Sequence, residues 1–139
     1  MKSAIWYKQN NAPVPLDITF SGAGAGTAHI YNNKLVINLT TGAATNAASV
    51  TIDQKYFGGM RVVDMYIVAS GTTASALTLL AGSDAVTNAL AHGTADKTRV
   101  AAGTIDDAYW DYTDDEQVVF TVATGIFVGL IVVEFTPTP

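Results

Sequence analysis

The sequence predicts an all-β domain, an antiparallel β-sandwich, and three observations carry that prediction. Hydrophobic residues alternate with a period of two through most of the chain, the pattern of half-buried strands. The alternating runs are short, and turn dipeptides or Ala, Gly and Thr tracts separate them at about the spacing of a sandwich or barrel. Only one segment shows helical spacing. With 139 residues the chain reads as a single domain over 1–139, because a chain of that size buries about two thirds of its unfolded surface in one core.

Taken in order, the opening "MKSAIWYKQNNAPVP" carries Pro13 and Pro15 around Val14. Proline disfavours both helix and central-strand pairing, so residues 1–15 read as an arm leaving the sandwich. In that arm Ile5, Trp6 and Tyr7 are of the types that anchor interfaces. The competing reading makes them a first core strand with Ile5 and Tyr7 inward. "LDITF" then sets Leu16, Ile18 and Phe20 against Asp17 and Thr19, and "KLVINLT" sets Leu35, Ile37 and Leu39 against Lys34, Asn38 and Thr40. Asn32-Asn33 between "AHIY" and "KLVINL" is hairpin chemistry, since Asn tolerates positive φ, and Gly58-Gly59 before "MRVVDMYIV" reads the same way. "SVTID" and "EQVVFTV" direct Val50 and Ile52, and Val118, Phe120 and Val122, inward. The tracts "SGAGAGTA", "TGAATNAA" and "SGTTAS" read as loops between strands.

The dissenting segment is "GSDAVTNALAHG". Ser83 or Asp84 can cap a helix, Val86, Ala89 and Leu90 share a helical face, and Gly93 can end it. A short helix over 84–91 is one reading and a loop crossing the sandwich is the other.

Two runs, "MRVVDMYIVA" and "IFVGLIVVEF", are apolar on both faces. Val63, Met65 and Ile67 oppose Val62, Tyr66 and Val68, while Ile126, Val128, Leu130 and Val132 oppose Phe127, Ile131, Val133 and Phe135. A sandwich strand ordinarily keeps one wet face. Either the chain's own loops or another subunit must cover the second one, and in the latter case Val62, Tyr66 and Val68 form an oligomer interface.

Composition narrows the function classes. A net charge of −5 with seven scattered basic residues opposes binding of nucleic acid through its phosphates, which needs clustered Lys and Arg. The chain has no cysteine, so disulfides, thiolate metal sites and a cysteine nucleophile are out. The longest apolar run, "IFVGLIVV", is too short to cross a bilayer and the N-terminus has no signal-type apolar stretch, so synthesis in a cytoplasm and no membrane partner are expected. Charged residues are 14% of the chain against an average of about 25%, too few to cover a monomer comfortably, which suggests surface buried by partners.

Catalytic and cofactor motifs are not found, and no catalytic residue, metal ligand or cofactor is expected. There is no G-x-S-x-G, and His29 and His92 read as structural. "GAGAG" at 22–26 lacks the third Gly of a dinucleotide loop and has no following helix, so it reads as a mobile loop. The stretch "TIDDAYWDYTDDEQ" fails the EF-hand spacing, although a looser calcium site on Asp106, Asp107 and Asp111 stays open. A sugar platform of Tyr109, Trp110 and Tyr112 flanked by acids is better motivated, because aromatic faces cover apolar sugar surface. The plainer reading is an aromatic strand edge followed by an acidic turn.

Three features together resemble the small capsid decoration, or cement, proteins of tailed bacteriophages. They are the C-terminal hairpin "VVFTVATGIFVGLIVVEFTPTP", the strand and Ser-Asp loop of "LTLLAGSDAVTNAL", and the cysteine-free Ala, Gly and Thr composition with an N-terminal arm bearing Trp6 and Tyr7. The resemblance implies a jelly-roll-like or tulip-like sandwich that is no enzyme, docks on the outside of the expanded phage head as a homotrimer, and stabilises it. The major capsid protein is then the partner, Ile5, Trp6 and Tyr7 are the capsid-binding residues, and the virion exterior is the location. The alternative is a carbohydrate-binding module, lectin-like or part of a head-fibre receptor binder, using Tyr109, Trp110 and Tyr112.

Overall fold

A computed structural model describes residues 14–21, 24–41, 48–53, 57–70, 75–92, 98–106, 108–113, 116–123 and 126–137. The N-terminal residues Ile5, Trp6 and Tyr7 lie outside this set. Among the described residues every regular element is a strand. In chain order they are β1 (Val14–Leu16), β2 (Ile18–Phe20), β3 (Gly24–Tyr31), β4 (Lys34–Thr41), β5 (Ala48–Ile52), β6 (Met60–Ala69), β7 (Ser75–Ala81), β8 (Asp84–Ala85), β9 (Leu90–His92), β10 (Thr98–Ala101), β11 (Val118–Val122) and β12 (Val128–Pro137).

These strands form two antiparallel sheets packed face to face. The first has the order β1-β3-β4-β12-β6-β10, and the second β2-β5-β11-β7-β8, with β9 also on β7. The eight strands β4, β5, β6, β7, β9, β10, β11 and β12 pair from the outside in: β4 with β12, β5 with β11, β6 with β10 and β7 with β9. One long folded ribbon rolled so that its pairs fall alternately in two sheets is the jelly roll. β1 and β3 extend the first sheet beyond β4, and β2 extends the second beyond β5.

The core is the inward half of the alternation. Leu35, Ile37 and Leu39 from β4, Val50 and Ile52 from β5, and Val118, Phe120 and Val122 from β11 are buried, as the sequence predicts. Phe57, Tyr112 and Phe135 add an aromatic cluster with ring centroids 5.2–6.2 Å apart. Two buried threonines serve the backbone: the Thr41 hydroxyl accepts the Phe127 N–H at 2.9 Å, where the chain enters β12, and the Thr87 hydroxyl accepts the Leu79 N–H at 3.1 Å.

Several local expectations change. The run "LDITF" is not one strand: Leu16 ends β1 in the first sheet and Ile18 starts β2 in the second, with Asp17 as the corner. Its position is an edge, where Pro15 costs no ladder hydrogen bond. Gly24–Gly26 belong to β3 and are not a loop. Asn32 and Asn33, at φ 48° and 65°, form the expected tight hairpin turn. Gly59, at φ 78°, instead makes a turn closed by Met60 N–H to Phe57 C=O at 2.9 Å, leading between sheets.

No helix forms over 84–91. Gly82 at φ 60° and Ser83 are the two central residues of a hairpin that pairs Ala81 with Asp84, so the Gly-Ser dipeptide acts as a turn and not as a cap. The apparent helical spacing survives only as buried Val86 and Leu90, with Ala89 exposed.

The largest correction concerns β6. Pairing with β12 slips between Glu134 and Phe135, so that Glu134 faces Asp64 and Phe135 faces Val62, leaving Val63 as the extra residue of a bulge. The Asp64 carboxylate accepts the Met65 N–H at 2.8 Å beside it. Because a bulge inverts facing, Val62 points into the core with no exposure, together with Met65 and Ile67, while Val63 is 43% exposed. Val62 therefore cannot belong to an outer interface, whereas Tyr66 and Val68 do face outward.

Gly129 shows how tightly β12 is seated. A Cβ there would overlap the Val68 carbonyl oxygen on the neighbouring strand. Replacing Gly129 by Ala should cost about 2–3 kcal/mol, by overpacking the centre of the sheet. The same change at Gly103, where the nearest side-chain atoms would be 3.9 Å away, should stay within about 0.5 kcal/mol. Urea unfolding of the two variants tests the contrast.

Candidate functional site

The aromatic and acidic stretch after β10 is built as a seam. Ala102 N–H still bonds Met65 C=O at 2.8 Å, after which the chain crosses to the second sheet. There Ile105 bridges Thr87, Asp106 N–H reaches Val86 C=O at 2.7 Å, and Asn88 Oδ1 accepts from Gly103 and Thr104. A turn held by Asp106 Oδ1 and the Ala108 N–H returns the chain to β6. Trp110 C=O then accepts from Val62 N–H, and Tyr112 N–H donates to Met60 C=O, both at 2.9 Å. One excursion thus ties the open edges of both sheets together.

The side chains are absorbed by that task. Arg61 forms a two-point pair with Asp111 at 2.8 and 3.2 Å and lies 4.2 Å above the Trp110 ring. The side chains of this pair keep 23% and 40% exposure, so its contribution is the modest one of a solvated ion pair. The hydrogen bond to Asp111 holds the Arg61 pKa above its ordinary value. Trp110 packs half-buried against the core. Tyr112 is buried, with its hydroxyl donating to Leu80 C=O at 2.9 Å. Of the predicted sugar platform only Tyr109, at 44% exposure, is presented to solvent, so the three aromatics do not form one surface.

The acids are spread in the same way. Glu116 Oε2 accepts the Thr113 N–H at 2.7 Å, which makes the end of the stretch a closed turn. Asp107, Asp114 and Asp115 lie outside the described residues. Among the described residues no three His, Asp or Glu side chains are gathered as a metal would require. His92 is buried edge-on to Phe127, with centroids 5.1 Å apart, and His29 stands half-buried on β3.

The surface that stands out is the outer face of the first sheet. Register places Val36, Val132 and Tyr66 side by side across β4, β12 and β6, and Asn38, Leu130 and Val68 in the next row. Val128 follows opposite Thr40. Val36, Tyr66, Val68, Val128 and Leu130 are half-buried and Val132 is buried. A hollow of about 530 Å³ at this end is bordered by Thr27, Thr40, Val68, Val128 and Leu130. Charges stand at the rim. Lys34, Glu134 and Asp64 form one end row, and Arg99 lies 4.3 Å over the Tyr66 ring. Tyr66 and Val68 were legible from the apolar two-sided strand. Leu130 and Val128 carry the same two-sided signal, whereas Val36 joins them only through register.

Compared with known proteins, the chain matches no family model, no curated protein and no solved structure. No helix among the described residues is long and apolar enough to cross a membrane.

Tyr112 gives this region a measurable pH signature. Burial, and then the charge of Glu116, push its phenol well above the ordinary value. The unfolded tyrosine ionises near about pH 10, while the folded one resists. The contribution is therefore complete below about pH 10 and is lost as the pH rises from there towards the folded value. Tyr112→Phe should cost about 1 kcal/mol at neutral pH, from the lost bond to Leu80, and should flatten the alkaline loss. Denaturant titrations between neutral and strongly alkaline pH check both.

Proposed function

We propose that this chain is a non-enzymatic structural protein of a virion that binds the outer surface of a phage capsid and stabilises it. The observation that carries the reading is the apolar outer face of the first sheet, on which Tyr66, Val68 and Leu130 keep part of their surface exposed. A sheet face serving only as a boundary with water would be polar in alternation. Apolar area of this kind gains about 25 cal/mol per Å² when a second surface covers it. The resemblance in the C-terminal hairpin, the Ser-Asp loop and the composition supplies the partner, the major capsid protein, and the form, a homotrimer.

In this reading Tyr66, Val68 and Leu130 make the contact between copies or with the capsid, and the N-terminal residues Ile5, Trp6 and Tyr7 add a second foothold. Cementing is multivalent, so several weak contacts made together hold far more tightly than each alone. The carbohydrate-binding alternative draws no comparable support, because Tyr112 is committed to the core and Trp110 to Arg61.

Co-sedimentation with expanded, genome-free capsids tests the proposal, and light scattering tests the trimer. Val68→Lys and Leu130→Lys, both outward-facing, should leave the melting temperature within a few degrees. Each should abolish either the trimer or capsid binding by placing an unpaired charge in a contact. Wild-type protein that stays monomeric and fails to sediment with capsids would sink the reading. A glycan titration lost in Tyr109→Ala would put the carbohydrate alternative in its place.

A further inference from the structure

We propose that the N-terminal arm of this chain folds back over the outer face of its own first sheet, as a strap that seats Ile5, Trp6 and Tyr7 over Val132, Leu130 and Val68. The inference does not rest on the virion reading; under that reading the strap is the cover that a partner surface displaces, and the released arm is the second foothold.

The point of attachment and the reach come first. Residues 1–13 precede β1 and lie outside the described residues. β1 starts at Val14, which pairs with Ile30 at the edge of the first sheet, so the chain arrives one position from Tyr31. Tyr31, Lys34, Glu134 and Asp64 form the row across β3, β4, β12 and β6 at that end. From β1 to β12 is three strand spacings, about 14 Å. Six residues separate Lys8 from Val14, and extended they span about 20 Å. The difference leaves slack for a turn onto the face, and Asn10, Asn11 and Pro13 are the residue types that turn a chain. Lys8 thereby reaches Glu134. Continuing along β12 at about 3.3 Å per residue, Tyr7, Trp6 and Ile5 fall between Glu134 and Leu130.

Chemistry matches along the same path. The arm carries Lys2 and Lys8 and no acid, in a chain of net charge −5. The row it crosses sets two acids, Glu134 and Asp64, beside one base, Lys34. Beyond that row the face is apolar, and Arg99 already covers the Tyr66 ring from the β10 side at 4.3 Å. The remaining apolar area therefore lies over Val68, Leu130 and the hollow of about 530 Å³ beside them, whose lining includes no charged side chain. An indole suits such a seat. Its ring covers the aliphatic floor, while its N–H can donate to the side-chain oxygens of Thr27, Asn38 or Thr40 along the wall.

Tethering favours this occupant over a separate one. A short flexible linker holds its cargo at an effective concentration on the order of millimolar, so a contact too weak to recruit another molecule still closes within one chain.

The chain has no cysteine, so Ser3→Cys accepts a single nitroxide label. In the isotope-labelled full chain, paramagnetic broadening should centre on the methyl signals of Val128, Leu130 and Val68 and spare Val119 and Leu80 on the other sheet. Trp6→Ser should relieve the broadening without moving core signals such as those of Ile37 and Phe120. Lys8→Glu should weaken it, by setting a like charge beside Glu134 and Asp64. Broadening centred on the second sheet, spread evenly over both, or unchanged in Trp6→Ser would overturn the proposal. So would unfolding of Trp6→Ser, which would place Trp6 in the core. Broadening passed from nitroxide-labelled copies to separate isotope-labelled ones would overturn the own-chain assignment, by showing a neighbour's arm on the face.

Discussion

The seating of β12 between β4 and β6 is the pairing on which the rest of the molecule depends. β12 is the last strand in sequence and lies in the middle of the first sheet, so six strands of that sheet are one body only once the C-terminal segment has arrived. Its two registers set the rows of both faces: Ile37, Ile131 and Ile67 inward, Val36, Val132 and Tyr66 outward. The absence of a side chain at Gly129 lets the strand approach the Val68 carbonyl. Pairings of this sequence separation are slow to find, which makes the last strand the natural closing step of folding.

From that pairing follows the inversion at Val63. Upstream of the bulge β6 turns Met60 and Val62 inward, and downstream Met65 and Ile67. A strict period of two would have sent one of these pairs to solvent. The extra residue lets β6 stay apolar on the core side along ten residues while its far end bends to meet Trp110 to Tyr112. The seam over 102–112 thus completes the edge that β10 leaves open, and its aromatic and charged residues are largely consumed in doing so.

A jelly roll does not specify a function, and surfaces decide it. In this chain one surface stands out among the described residues. The face over β4, β12 and β6 is apolar, broad and rimmed by charge, suited to burial against another folded surface.

The sequence by itself determined the fold class, the inward residues of β4, β5 and β11, and the Asn32-Asn33 turn. These follow from local sterics and from a two-residue period that needs no knowledge of neighbours. The plain reading of "TIDDAYWDYTDDEQ" as a strand edge agrees with the described part of it, where Trp110 and Tyr112 bond to β6. Tertiary structure alone decided that Gly-Ser at 82–83 is a hairpin, since capping and turning use the same residue types. It decided that Val62 is core, since a bulge is defined by the partner strand. It placed Arg61 against Asp111, fifty residues away, for which no local pattern exists. Strand order, and with it the meeting of Val36 with Val132 and Tyr66 in one outer row, is likewise set by which distant segments find each other. Hydrophobic periodicity tells each strand which side to bury, but only long-range pairing tells it beside whom.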